Sequence, residues 1–137
     1  MSQQNLDVVR AAVDAFVAGD VEGVARLYRP DANITAVPEG WPEPAPVEGR
    51  EAVMRQFIRL QEDWEQHSME IEREVAEGDW VVIDLRWHTR GAGSGIPLTT
   101  NVAGAYRLEG GKIAEARFFW KYEDAVEQVG LSGQDAA

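Results

Sequence analysis

Three side chains that could move a proton lie in one row of the sequence. Asp84, Arg86 and His88 alternate with apolar residues across residues 80–90, and this pattern predicts a β-strand with all three on one face. In such a row a carboxylate can orient an imidazole that titrates near neutral pH, and a guanidinium can stabilise an anion. The row therefore predicts an acid/base site, with His88 as proton carrier, Asp84 as its orienter and Arg86 as anion stabiliser.

The same pattern is also typical of the wet face of an antiparallel sheet. Charged residues at alternate positions of such a strand normally face solvent or a partner subunit. A catalytic row must instead face a cavity, and the residues alone leave both placements open. The other histidine, His67, follows a predicted helix and is expected to be an exposed side chain without a catalytic role.

The length and composition of the chain limit the classes of protein to which it can belong. With 137 residues the chain predicts a single domain, residues 1–137, and 24 acidic against 13 basic side chains give a net charge of −11. That charge repels phosphates and anionic lipids, so neither nucleic acid nor membrane is an expected partner. No apolar run approaches the roughly 20 residues of a membrane-spanning helix. The first residues do not form a secretory pattern, so a cytoplasmic location is expected.

No sequence pattern supports a cofactor or a metal. The chain has no cysteine, and its two histidines lie far apart without metal-ligand spacing. The glycine-rich motifs that cradle nucleotide phosphates are absent as well. The sequence therefore predicts a protein that works without a metal or a cofactor.

The order of the predicted elements gives the fold class. Helical periodicity predicts three helices, at residues 5–18, 21–28 and 50–66. A proline-rich segment at residues 38–46, called the proline loop below, separates a short strand from the third helix. From Ser68 onward the period changes to two, and four strands precede a last short helix. Strands joined by tight turns are antiparallel, so the sequence predicts an α+β fold with helices on one face of a curved antiparallel sheet.

Three segments of the chain resemble the SnoaL-like, or NTF2-like, superfamily. They are the second-helix segment at residues 18–28, the start of the third helix at 47–53 and the hairpin at 108–113. The resemblance covers essentially the whole chain and implies a cone in which helices cover the concave face of the sheet around an apolar pocket. It also implies a homodimer built on the outer face of the sheet. Because this fold hosts many unrelated activities, the resemblance is specific for fold rather than function.

The catalytic groups of two enzymes of this superfamily are mostly missing. At the positions that match the tyrosine, the general base and the second oxyanion donor of ketosteroid isomerase, the chain has Ala12, Ala36 and Gly104. The arginine of limonene epoxide hydrolase matches Arg86, and one of its acids matches His88. This second match implies that the row faces the inside of the cone.

Aromatic residues are the remaining candidates, because they offer rigid apolar contact area to a small molecule. Trp41 lies in the proline loop, and Tyr106 could donate its hydroxyl into a cavity or lie in the core. Other aromatic residues match pocket-lining positions of the superfamily, although most of them would also serve as core. The predicted ligand-binding residues are Trp41, Phe57, Trp64, Tyr106, Phe118 and Trp120.

Three hypotheses follow, and the first two are of different classes. The first is a small cofactor-independent enzyme of isomerase, cyclase or hydrolase type that acts on a hydrophobic small molecule through Asp84, Arg86 and His88. The second is a non-catalytic binding module of the same fold, and a third, a dimeric scaffold, requires a collapsed pocket. The missing catalytic groups favour the second hypothesis and the polar row favours the first. The face on which the row lies decides between them.

Overall fold

The computed structural model describes residues 2–62, 64–91 and 93–131. The helices are α1 (Ser2–Val17), α2 (Val21–Arg26), α3 (Arg50–Glu62) and α4 (Tyr122–Gln128). The strands are β1 (Tyr28–Ala36), β2 (Val47–Glu48), β3 (Trp64–Glu77), β4 (Trp80–Gly91), β5 (Pro97–Glu109) and β6 (Lys112–Phe119). None of the helices described is long and apolar enough to cross a membrane.

The strands form one curved, open sheet in the order β2-β1-β6-β5-β4-β3. The run from β3 to β6 is a meander of antiparallel neighbours, and β1 pairs antiparallel with β2. The one parallel pair in the described sheet joins β1 to β6, which brings the first strand of the chain beside the last. The predicted α+β fold with a curved sheet is confirmed.

The two faces of the sheet have different coverings. The face called inner here carries Val81, Ile83 and Leu85 of β4 and packs against α1, α2 and α3 in the main core. The opposite, outer face carries Val82, and α4 packs there in a second, smaller core. The sequence led us to expect helices on the concave face alone, and α4 departs from that expectation.

The boundary between α3 and β3 lies earlier than the helical periodicity predicts. Trp64 extends the apolar spacing of α3 by one turn, but it is the first residue of β3 and pairs with Gly91 of β4. Pairing along almost the whole of β4 satisfies the backbone hydrogen bonds of these residues, which a further helical turn would leave unpaired with the sheet. Here tertiary pairing overrides the local period.

Two glycines, Gly23 and Gly104, take part in close contacts that define the local structure. Asp20 caps α2 by accepting a hydrogen bond from the backbone nitrogen of Gly23 at 2.9 Å. In the middle of β5, Gly104 leaves the space that the ring of Tyr106 occupies. A Cβ atom at Gly104 would lie 2.7 Å from Cε2 and 2.8 Å from the hydroxyl of Tyr106. The missing side chain therefore lets the tyrosine lie along its own strand.

We expect Gly104→Ala to lower the free energy of unfolding by about 1–3 kcal/mol, because the added methyl group would overlap the tyrosine ring. Denaturant unfolding measures this cost. In a Tyr106→Leu background the same substitution should cost much less, since the overlapping ring is gone. Equal costs in the two backgrounds would contradict the contact, because the double-mutant cycle would then show no coupling.

Candidate functional site

An apolar pocket lies between the inner face of the sheet and the helices α1, α2 and α3. Its volume is about 60 Å³, well below the volume of about 150 Å³ of a cavity that holds benzene. All of its described lining side chains are apolar or aromatic: Ala12, Val13, Phe16, Val24, Tyr28, Trp41, Phe57, Leu60, Met69, Leu85, Trp87, Val102, Tyr106 and Phe118. The pocket is thus small and apolar, and large rings make up much of its lining.

Regular structure positions almost all of this lining. Residues two apart on a strand share a face, so Leu85 and Trp87 of β4 both point inward. Val102 of β5 lies opposite Leu85 in the register and extends the same wall. In α3, Phe57 and Leu60 are three residues apart and therefore lie on one helix face. Trp41, from the proline loop, is the exception among the lining residues.

Two tyrosine hydroxyls are polar groups of this pocket. Tyr28 and Tyr106 are 2% and 6% exposed. Burial raises the pKa of Tyr28 well above its ordinary value, and the nearby Tyr106 raises it further. Burial also raises the pKa of Tyr106. Both hydroxyls therefore stay protonated at neutral pH and can donate hydrogen bonds, but they are poor bases.

The indole of Trp41 adds a third donor. Its Nε1 atom is buried and has no hydrogen-bond partner among the described residues. The indole stacks on Phe118, with ring centroids 5.1 Å apart and planes 4° from parallel. Leaving such a donor unsatisfied costs about 1–3 kcal/mol. The buried indole donor is thus unsatisfied among the described residues.

The described lining contains no Asp, Glu, His, Lys or Arg. A proton carrier must come within hydrogen-bond reach of the atom it serves, and no carboxylate or imidazole among these lining residues meets that condition. Across the described ranges 2–62, 64–91 and 93–131, no three acidic or histidine side chains gather so as to hold a metal ion. The described lining thus offers apolar contact area and no carboxylate, imidazole, ammonium or guanidinium group.

The predicted acid/base row lies on the outer face, away from the pocket. Leu85 and Trp87 point inward, so their neighbours in the pleated strand must point outward. Each member of the row pairs with β3 rather than with another member: Asp84 with Arg73 at 2.9 Å, Arg86 with Glu72 at 2.5 Å, and His88 with Glu70 at 2.7 Å. The placement inside the cone that the hydrolase match implied is not observed.

This placement also determines how strongly the ion pairs of the row stabilise the fold. The side chains of Arg86 and Glu72 are 46% and 38% exposed, so their ion pair is screened by solvent. Pairs of this kind contribute about 0–1 kcal/mol, far below the cost of breaking a buried pair. His88 also contacts the hydroxyl of Thr99 through Nδ1 at 2.9 Å. Both of its ring nitrogens are thus engaged on the outer face.

His67 lies where the sequence did not predict it. It belongs to β3, and its ring packs edge-on against Phe16 and Trp87, which line the pocket. Its Nδ1 atom accepts a hydrogen bond from Nε1 of Trp87 at 3.3 Å. Burial lowers the pKa of this imidazole below its ordinary value. The exposed histidine expected at a helix end is instead a partly buried side chain behind the pocket wall.

Four of the six predicted ligand-binding residues line the pocket: Trp41, Phe57, Tyr106 and Phe118. Trp120 does not line it. It is 38% exposed, and its Nε1 atom donates a hydrogen bond to the carbonyl oxygen of Glu39 at 2.7 Å. The side chain of Trp64 lies outside the part of the chain that the structure describes.

Phe16, Tyr28 and Trp87 are large pocket residues that the sequence reasoning did not select as ligand contacts. The alternation of β4 already places Trp87 on the same face as Leu85, and that signal could have identified it. Tyr28 could not be found in this way, because the pattern assigned it to the end of a helix. It is the first residue of β1.

Comparison with known proteins gives a consistent picture of the fold. A model of the SnoaL-like domain matches residues 9–116. An NTF2-like protein of unknown function from Burkholderia pseudomallei has a TM-score of 0.74 at 20% identity, over 90% of this chain and 95% of that one. A putative SnoaL-like polyketide cyclase from Jannaschia has a TM-score of 0.76 at 21% identity, over 86% and 85%. An LEH-like epoxide hydrolase from M. tuberculosis has a TM-score of 0.71 at 17% identity, over 92% and 89%.

Identities this low show the fold alone. No curated protein gives a significant match. The superfamily resemblance predicted from the three sequence segments is confirmed.

We expect the stability of the protein to fall as the pH drops below about 6.5, the ordinary pKa of histidine. Because burial lowers the pKa of folded His67, the unfolded chain binds the proton more readily. The stability is therefore complete above the ordinary pKa and is lost as the pH falls toward the lower folded value. Denaturant unfolding across this range measures the slope.

His67→Gln keeps an acceptor for Trp87 and should flatten this slope. His88→Gln removes the other imidazole, on the outer face, and serves as the matched control. If His67→Gln leaves the slope as steep as in the wild type, burial of His67 is not its cause.

Proposed function

The chain belongs to the SnoaL-like domain family, and we propose that it is a non-catalytic binding protein whose pocket holds a small, neutral, largely apolar molecule. The observation that carries this proposal is the pocket lining, which combines fourteen apolar or aromatic side chains with no Asp, Glu, His, Lys or Arg among those described. Pockets of this kind take ligands through apolar contact and a few placed donors.

The pocket lining disfavours a charged ligand. An ion moved from water into an apolar site loses its hydration, and an unpaired charge there is strongly disfavoured. The described lining offers no counter-charge to compensate that loss. A neutral ligand avoids it, so the ligand class is neutral.

The polar atoms of the pocket favour a ligand that carries a hydrogen-bond acceptor. Tyr28 and Tyr106 are lining residues with protonated hydroxyls. An oxygen acceptor on the ligand can satisfy one of these donors, and a buried hydrogen bond of this kind also fixes the orientation of the ligand. A small ketone, ester or ether has this character.

Acid/base catalysis has less support. His88 points away from the pocket, and Nδ1 of His67, its acceptor nitrogen, already receives the hydrogen bond from Trp87. A scaffold with no ligand is also less well supported, because it requires a collapsed pocket, whereas a space of about 60 Å³ remains between the sheet and the helices.

We expect acetophenone, a small neutral ketone, to bind the protein with at least about tenfold higher affinity than benzoate, its anionic counterpart of similar size, because benzoate must bury its charge. Tyr106→Phe should weaken acetophenone binding by about twofold to tenfold, the effect of one hydrogen bond. Calorimetry or ligand-observed NMR measures both.

Ethylbenzene has a similar shape without the carbonyl and is the control, since its affinity should not respond to Tyr106→Phe. Equal binding of benzoate and acetophenone would contradict a neutral site. Failure of all three compounds to bind would contradict the binding function itself.

The homodimer and the cytoplasmic location expected from the sequence stay predictions. A dimer is supported by Ile96, in the β4–β5 connection, and by Leu98, near the start of β5, which are 65% and 51% exposed although both are large and apolar. Light scattering at micromolar concentration should then give about twice the chain mass of 15.2 kDa. A mass near that of one chain would contradict the dimer.

A further inference from the structure

We propose that the indole of Trp41 is a plug that occupies part of the binding site, and that the ligand is a planar ring compound that displaces it and stacks on Phe118. This inference rests on the binding function proposed above and adds to it the shape of the ligand and the residue that selects for that shape. It follows from the pocket volume, the stacking geometry and the attachment of the proline loop.

The pocket has a small volume for the number and size of the side chains that line it. Fourteen side chains, eight of them Phe, Tyr, Trp or Met, line a space of about 60 Å³. For comparison, a cavity that binds benzene has a volume of about 150 Å³. A ligand of that size or larger must therefore displace a side chain of the lining.

Trp41 is the lining residue best placed to move. The other lining residues belong to helices or strands, whereas Trp41 lies in the proline loop between β1 and β2. Its buried Nε1 atom has no hydrogen-bond partner in the described parts of the chain. The indole therefore lacks a hydrogen bond as long as it stays in the pocket. Rotation toward solvent would give that donor water as a partner.

The attachments of the loop hold it on either side of Trp41. Upstream, Trp120 donates a hydrogen bond to the carbonyl oxygen of Glu39 at 2.7 Å. Downstream, Arg59 binds Glu43 at 2.6 Å, and Gln56 donates to the carbonyl oxygen of Pro44 at 3.0 Å. The indole can therefore leave the pocket while both attachments stay intact.

The stacking geometry defines the ligand that takes the vacated place. Trp41 lies parallel to the ring of Phe118 at 5.1 Å, whereas Phe57 and Tyr106 meet that ring edge-on, at 73° and 83°. The indole also meets the ring of Trp120, tilted by 44° with centroids 5.4 Å apart. The space left by the indole is consequently a slot with the ring of Phe118 as its parallel floor and Trp120 at an angle to it. Planar conjugated molecules fill such a slot and keep the stacking contact, but compact globular molecules of the same size do not.

Displacement also makes the plug a competitor of the ligand. The observed affinity equals the affinity of the open pocket reduced by the fraction of molecules in which the indole is out. Truncating Trp41 removes that competition. It should therefore tighten the binding of a planar ligand, whereas truncating an ordinary wall residue weakens binding by removing contacts.

Two ketones with the same number of heavy atoms test the shape selection. We expect 2-acetonaphthone, which is planar, to bind the wild-type protein at least about tenfold more tightly than 1-acetyladamantane, which is globular. We expect Trp41→Ala to bind 2-acetonaphthone at least about tenfold more tightly than the wild type and with faster association. Trp41→Leu, a milder truncation, should shift the affinity in the same direction, and Trp80→Phe on the outer face should leave it unchanged.

A direct measurement follows the plug in the wild-type protein. With 5-fluorotryptophan incorporated, the Trp41 fluorine resonance is assigned by its loss in Trp41→Phe. We expect 2-acetonaphthone to move this resonance to the position typical of a solvent-exposed indole, and benzoate to leave it in place.

The outcomes separate this inference from the function on which it rests. If acetophenone binds but Trp41→Ala and Trp41→Leu weaken or do not change the binding of 2-acetonaphthone, Trp41 is an ordinary lining residue. The proposal that the ligand displaces its indole is then wrong. Equal affinity of the wild type for the two larger ketones would contradict the proposed preference for a planar ligand. If no neutral ketone binds either the wild type or the variants, the binding function itself is wrong.

Discussion

The pleat of β4 and β5 sends alternate side chains to opposite faces of the sheet, and the rest of the molecule depends on that separation. On the inner face the alternation yields the wall of Leu85, Trp87 and Val102, against which the first three helices close the pocket. On the outer face it yields a strip of Val82 and Ala103 that α4 covers, flanked by charged residues. A slip of one residue in the register would exchange the two sets and bury the charges.

Several arginines of this acidic chain pair with carboxylates on the surface of the sheet. Glu115 of β6 lies between Arg107 and Arg117 and accepts from both, at 3.1 and 2.8 Å, and also from Thr35. Burial alone would raise the pKa of Glu115, but these hydrogen bonds outweigh it and hold the pKa below its ordinary value. The ionised side chains thus stay outside, and the pocket is left to neutral groups.

The sequence predicts the elements of this fold better than it predicts the site. Alternation shows that Asp84, Arg86 and His88 share a face, but it cannot show which face, because both faces of β4 carry apolar residues as well. The decision comes from helices distant in sequence, which cover one side of the sheet. The same limit applies to Trp41. Its loop position is visible in the prolines around it, but its stacking on Phe118 depends on a strand 77 residues further on.

The parallel pairing of β1 with β6 has a consequence for how the molecule is assembled. Tyr28 pairs with Ile113 and Ile34 with Ala116, so the first strand finds its main neighbour only when the last strand is present. Contacts between segments so far apart in the chain close late, because each requires ordering a long loop. During synthesis, the pocket can therefore form only after β6 has left the ribosome. Until then the apolar walls contributed by α1, α3 and β4 remain exposed, and chaperones have their best opportunity to act in that interval.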